Sequence, residues 1–270
     1  MHPFPNSINT FDVEALRTTV RNAKPFPFFY IDNFLTSEFA ERVLESFPSF
    51  SEAMSKGRSF DAVNEKRKVQ LTDSSSFAPA IQELNTALAS QEFLNILDYV
   101  MDIQSLLPDD QLVGGGIHQT GPRGHLDVHV DFNYIEDRQL HRRLNILIYF
   151  NKEWRPEWGG NIELWDKDVQ NCVHSFSPIF NRCVVFETNE ISYHGVTSVN
   201  CPPNTARKSF AAYYYTKEAP QGWDGTSHST IFKARPDEVT KKWLSMPIEN
   251  AGRKLSRWKH LIGRTIRWKK

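Results

Sequence analysis

Residues 114–133 read GGGIHQTGPRGHLDVHVDFN. After the glycines, apolar and polar positions alternate, as in a strand with one buried face. Side chains at i and i+2 share a strand face, so His129 and Asp131 point the same way. The same run holds a second pair, His125 and Asp127, and in a regular strand all four would share that face. Spacing alone does not choose between the pairs. His125 follows Gly124 at the strand start, which suits a substrate-contacting or exposed role better than a buried one. Far downstream, His194 stands before Gly195 in a Tyr-His-Gly-Val stretch read as a turn between strands. Two imidazoles and one carboxylate on one side of a metal leave its other positions open. Arg207 heads a later strand, and its planar fork of donors suits a carboxylate.

Working outward, short strands separated by turn residues are expected from Leu112 onward. They cover Gly115 to Gln119, Leu126 to Asp131, Leu144 to Asn151, Asn161 to Trp165, Arg182 to Glu187 and Arg207 to Thr216. Gly121-Pro122-Arg123-Gly124, Pro156, Gly159-Gly160, Asn189 and Pro202-Pro203-Asn204 punctuate them. Upstream the period is helical: Phe39, Val43, Leu44 and Phe47 after a cap at Thr36 or Ser37, then Ile81, Leu84 and Leu88, then Phe93 to Met101. Phe26 to Ile31 reads as an aromatic strand, with a further strand expected around Val69 to Leu71. Residues 1–24 read as a leader of weak pattern, and 51–76 as a polar loop. Helices followed by strands predict an α+β protein. Many short strands at this spacing favour a jelly-roll double sheet braced by N-terminal helices. The expected organisation is one domain over 1–252, with helical support (1–111), β core (112–217) and a C-terminal extension (218–252). A basic tail (253–270) follows.

The chain has 270 residues, 40% hydrophobic and 13% aromatic, enough for a sizeable core and unlike a disordered segment. Cys172, Cys183 and Cys201 cannot all pair and lack zinc-knuckle spacing, so free thiols in a reducing compartment are expected. No signal-peptide core and no transmembrane segment is evident, which predicts a cytoplasmic protein. The formal net charge of +0 hides an asymmetry, because residues 253–270 carry eight Lys/Arg and no acid. The remainder is therefore net −8. Leu255, Trp258, Ile262 and Ile266 lie near helical spacing, so this tail suits peripheral contact with a membrane or polyanion.

The quoted stretch resembles the core of 2-oxoglutarate/Fe(II)-dependent oxygenases of the prolyl 4-hydroxylase-like superfamily. So do Arg142 to Asn151, Trp158 to Trp165, Asn181 to Phe186, Tyr193-His194-Gly195 and Arg207 to Thr216. The resemblance covers most of 112–217, together with Pro25 to Pro48, and implies a double-stranded β-helix. In that family the ligand pair precedes an aromatic-Asn dipeptide, which falls on His129 and Asp131 before Phe132-Asn133. His194 corresponds to the distal ligand. Arg207 corresponds to the residue holding the far carboxylate of 2-oxoglutarate, with Ser209 on the same strand face. The resemblance implies Fe(II), 2-oxoglutarate and O2, hydroxylation of an unactivated C–H bond, and release of succinate and CO2. Halogenases related to the family lack the carboxylate, and Asp131 is present here. Asn145 and Tyr149 share a strand face within reach of the co-substrate, and a structural role suits Tyr149 as well.

The substrate stays open among small molecules, saccharides and peptidyl groups. Gly159-Gly160 fits a tight turn more readily than a ligand approach. Trp154, Trp158 and Trp165 could line a mouth, though packing suits Trp165. Gly114 to Gly116 lack the Lys-Ser/Thr of a phosphate loop. Two other functions fit parts of the pattern: a non-catalytic β-sandwich binding module, or a membrane- or polyanion-associated scaffold working through the tail. A structural zinc site would need a fourth protein ligand, and none is obvious beside these three.

Overall fold

A computed structural model describes residues 4–238 and 241; the basic tail lies outside them. Five α-helices fall in the first part of the chain: α1 Val13–Asn22, α2 Ser37–Glu45, α3 Phe50–Lys56, α4 Pro79–Leu88 and α5 Gln91–Met101. Strands β1 Phe28–Ile31, β2 Arg58–Phe60 and β3 Glu65–Leu71 are interleaved with them. Then come β4 Leu107–Pro108, β5 Gly116–Val130, β6 Tyr134–Ile135, β7 Leu140–Tyr149, β8 Ile162–Trp165 and β9 Cys172–Phe176. The series ends with β10 Cys183–Glu187, β11 His194–Val196, β12 Arg207–Thr216 and β13 Ile231–Phe232. The main path runs β1-β10-β7-β12-β5-β11-β8-β9, with antiparallel pairing throughout.

β5 joins the two halves of this curled sheet. Its first part pairs with β12, from Gly116 opposite Ala211 to Thr120 opposite Arg207, while its last part pairs with β11. Gly121-Pro122-Arg123-Gly124, expected as a turn between two strands, instead lies inside this one long strand. Arg123 there has φ 64° and donates its N–H to the Val199 carbonyl.

Period-2 alternation decides what each face meets. Phe210, Ala212 and Tyr214 of β12, with Leu144, Ile146 and Ile148 of β7, join Ile81, Leu84, Phe93 and Leu97 of the helices in one core. Arg207, Ser209 and Tyr213 face the opposite way, into a cavity. Ile146, Ile148, Leu84 and Leu97 are fully buried, each side chain contributing ~1.5–3 kcal/mol. The helices thus hold the sheet from one side and leave its concave side open.

Several elements differ from the sequence reading. Residues 13–22 form α1, capped by Asp12 accepting the Ala15 N–H. Residues 51–76, expected as loop, hold most of α3, opened by a Ser49/Glu52 capping box, and the β2–β3 hairpin. The hairpin is half exposed and rich in Lys and Arg, so hydropathy alternation does not reveal it. Thr36 does precede α2, but its side chain makes no cap hydrogen bond. The Tyr-His-Gly-Val turn is the start of β11, too short to show a period. Among the described residues no helix is long and apolar enough to cross a membrane.

Candidate metal and co-substrate site

β5 carries His129, Asp131 follows directly after its end, and β11 carries His194, opposite His129 in register. The choice between the two His-x-Asp pairs is made by a break in β5. His194 opposes His129 while Val196 opposes Leu126, so β5 spends an extra residue there. Such a bulge flips the side-chain parity downstream. Leu126, His129 and Asp131 therefore face the cavity. His125 turns outward, in contact with the Val63 carbonyl at 3.1 Å. Asp127 is buried on the other side, where Lys241 donates to it at 2.6 Å and Arg235 lies at 3.6 Å. The regular-strand expectation, with all four groups on one face, fails for this reason.

The bulge also orients a ligand. It leaves the Asp127 carbonyl 2.8 Å from His129 Nδ1, and the Ser192 carbonyl lies 2.9 Å from His194 Nδ1. A carbonyl only accepts, so both Nδ1 atoms carry the proton and both Nε2 atoms keep a lone pair. These Nε2 atoms each lie 3.5 Å from an Asp131 carboxylate oxygen. The three residues offer ligand atoms all within 4.8 Å of one another. Among the described residues, this is the single His/Cys/Asp/Glu cluster that could hold a metal ion. Imidazoles fixed through Nδ1 and presenting Nε2 are the arrangement metal-binding histidines adopt. Burial, aided by His129, pushes His194 down to about 3, which keeps its lone pair available near neutral pH.

A network missed in the sequence surrounds Asp131. Arg142, 2% exposed at its side chain, reaches Asp131 Oδ2 at 3.1 Å. Asn145 donates Nδ2 to the same oxygen at 2.8 Å and accepts from Arg142 through Oδ1 at 2.7 Å. The guanidinium lies 3.6 Å from the Tyr213 ring centroid and 4.6 Å from that of Phe132. With Oδ2 engaged by Arg142 and Asn145, Oδ1 faces His129 Nε2 at 3.5 Å. Burial would raise the Asp131 carboxyl, but Arg142 and the two imidazoles outweigh it and hold it well below the carboxylate range. Asn145 lines the cavity as its strand face predicts, yet its amide is committed to Asp131 and Arg142. The available signal was an Arg inside an apolar strand, which demands a counter-charge when buried.

Deeper in, Arg207 is 4% exposed and donates Nε to the Gly160 carbonyl at 2.6 Å. Gly160 has φ +70°, and a Cβ there would come 3.1 Å from Arg207 Cδ, so this glycine serves the close approach of backbone to Arg207. Arg207 Nη1 lies 3.5 Å from Ser209 Oγ, and its Nη2 is buried without a partner. The Tyr149 hydroxyl, fully buried beside it, also makes no hydrogen bond. Burial, opposed by Arg207, pushes Tyr149 up to about 12, so it is a neutral donor. Two buried donors with nothing to donate to fit an anionic acceptor such as a carboxylate. The triad, Arg207, Ser209 and Asn145 line one cavity of ≈ 320 Å³, with Leu147, Ile162 and Phe186 as apolar walls. Its donor set fits both a divalent metal and a dicarboxylate chelated to it.

Trp165 is buried with Val128, Val130 and Tyr193, and Trp154 packs edge-on against Trp158; none of the three lines this cavity.

Comparison with known proteins bears on the fold and on residues 115–215. Residues 115–215 match the family model of the 2OG-Fe(II) oxygenase superfamily. A curated relative, prolyl 3-hydroxylase OGFOD1 of Mus musculus, is 30% identical over 84 residues, covering 30% of this chain. The match spans only 15% of that protein's length. Two solved structures share the fold. One is a Trichoplax adhaerens prolyl hydroxylase in complex with a hypoxia inducible factor peptide fragment (TM-score 0.55, 17% identity, 75% of this chain and 88% of that one). The other is a Pseudomonas putida prolyl-4-hydroxylase (TM-score 0.56, 13% identity, 77% and 100%). The curled sheet is thus a double-stranded β-helix like those of the two solved structures, and residues 115–215 are similar in sequence to the 2OG-Fe(II) oxygenase superfamily.

Proposed function

We propose that the chain is a hydroxylase in which His129, Asp131 and His194 hold Fe(II), and Arg207 with Tyr149 and Ser209 holds the far carboxylate of 2-oxoglutarate. The carrying observation is the meeting, in one cavity, of two Nε2 lone pairs, the Asp131 carboxylate and the unpartnered Arg207 Nη2. Bound Fe(II) and 2-oxoglutarate supply the redox chemistry: 2-oxoglutarate, O2 and a substrate C–H become succinate, CO2 and a C–OH. The chain's own residues position the reactants. The Asp127 and Ser192 carbonyls lock the imidazoles in the tautomer that ligates. Arg142 and Asn145 hold Asp131 Oδ2, which lies toward His194, and leave Oδ1 facing His129. Leu147, Ile162 and Phe186 keep water from the reacting centre.

The substrate we propose is a prolyl residue in a polypeptide, supported by the likeness to prolyl hydroxylases. The test incubates the full chain with Fe(II), 2-oxoglutarate and a library of proline-containing peptides, following succinate and the gain of one oxygen by mass. Succinate with an oxidised peptide supports the reading; peptides that never stimulate succinate release overturn the peptidyl assignment. A cytoplasmic location and contact of residues 253–270 with a membrane or polyanion are also proposed, from the free cysteines and the tail's charge. Co-sedimentation with anionic vesicles, with and without the tail, tests the second.

A further inference from the structure

A second cavity, ≈ 370 Å³, opens beyond Asp131 between the end of β10 and the loop that follows β12. Its size falls at the small end of ligand sites, ~300–1,000 Å³, enough for one long side chain. Two rings form its aromatic part, Trp223 and His141, set edge-to-face with centroids 4.4 Å apart. Glu187, Glu190 and Asp224 line it. Arg142 on its wall is already engaged by Asp131, and Glu190, 60% exposed, lies 2.8 Å from His228. Arg143 offsets part of the Glu187 charge. Burial and the nearby Arg143 hold the His141 ring neutral, so the lining as a whole is anionic.

An independent observation marks the pocket as a ligand site. Thr188 lines it, is only 8% exposed, and its hydroxyl has no hydrogen-bond partner. A buried hydroxyl left unpaired is costly unless something enters to meet it. A metal ion is the poorer occupant, since among the described residues these carboxylates do not converge as a ligand cluster. Carboxylates beside a Trp face suit an organic cation, which gains from both ion pairing and the ring quadrupole.

We propose that this pocket binds an alkylguanidinium or alkylammonium group, the chemistry of an arginine or lysine side chain. The cation sits against Trp223, faces Glu190 and Asp224, and donates to the Thr188 hydroxyl oxygen. Arg142 lines both cavities, so the occupant lies one side chain from Asp131.

The test is calorimetric titration of the full chain with N-acetylarginine amide and with N-acetylcitrulline amide, its neutral isostere. No iron is needed, so the outcome does not depend on the oxygenase assignment. The arginine amide binds about 5–30-fold more tightly, as ~1–2 kcal/mol of charge and cation–π interaction requires. The Glu190→Gln/Asp224→Asn double variant, both sites exposed, loses that preference, and Trp223→Leu weakens both ligands. Agmatine separates the sources: binding equal to the arginine amide assigns a free amine, weaker binding a peptide side chain. Equal affinity for the charged and neutral amides, an unaltered double variant, or no heat at millimolar ligand overturns the proposal.

Discussion

Replacing Arg142 by Met removes the guanidinium that neutralises a nearly enclosed carboxylate while keeping most of the side-chain bulk. The pair is 3.1 Å apart, with side chains 2% and 13% exposed. Breaking such a pair from one side costs ~3–5 kcal/mol, because the surviving charge stays buried without compensation. For a chain of this size each kcal/mol moves the midpoint ~2–4 °C, so Arg142→Met should melt roughly 6–20 °C lower with chelator present. Urea titration of the same metal-free samples gives the free energies. The decisive step is the double variant. Asp131→Asn removes the charge that Arg142 serves, so Asp131→Asn/Arg142→Met should be more stable than the two single losses sum to, by about 2–3 kcal/mol. Additivity within ~0.5 kcal/mol would refute the claim that Arg142 is there for Asp131. A side chain that merely fills space between Tyr213 and Phe132 predicts that additive result.

Arg207→Ala removes a charged donor from the co-substrate, and bonds to charged groups contribute ~1.5–3 kcal/mol. The 2-oxoglutarate concentration for half-maximal succinate release should rise about 10–150-fold, with Arg207→Lys intermediate. Acid should destabilise the fold through His118, which burial, aided by Lys68, pushes from an ordinary 6.5 to about 3. Its unfolded form takes up a proton first, so stability is lost as pH falls below about 6.5, by ~2 kcal/mol at pH 5. Urea midpoints of wild type and His118→Gln between pH 7 and pH 5 check this, and the variant should show the shallower slope. Asp131 acts in the same direction at lower pH, since its depressed folded value makes the paired carboxylate stabilising until pH falls through it. Tyr214→Phe deletes the buried bond to the Leu88 carbonyl (3.0 Å) and should cost ~1–3 kcal/mol in urea unfolding, because that carbonyl loses its side-chain donor.

Much of the architecture was legible because burial is one-sided. The 3.6-residue period of α4 and α5 and the period 2 of β12 record which face meets the core, and those elements stand close to their expected bounds. What escaped has physical causes. The β2–β3 hairpin is half exposed and charged, so its alternation is weak. β11 has three residues, too few for any period. β5 continues through Gly121 to Gly124 because its two ends pair with different partners, a fact of tertiary pairing that no local signal carries. The site shows the same division. His129, Asp131, His194 and Arg207 were identifiable as residues, but the bulge that turns His125 and Asp127 away depends on the β5–β11 register. Arg142 was passed over because its partner lies outside its own strand, just past the end of β5.

The central claim is that His129, not His125, completes a metal site with Asp131 and His194 and that 2-oxoglutarate binds there. The direct measurement is the weak visible charge-transfer band of iron-chelated 2-oxoglutarate, recorded anaerobically on wild type, His125→Ala and His129→Ala. The band should appear in wild type and in His125→Ala and vanish in His129→Ala. A band that survives in His129→Ala, or none in iron-loaded wild type, would contradict the account.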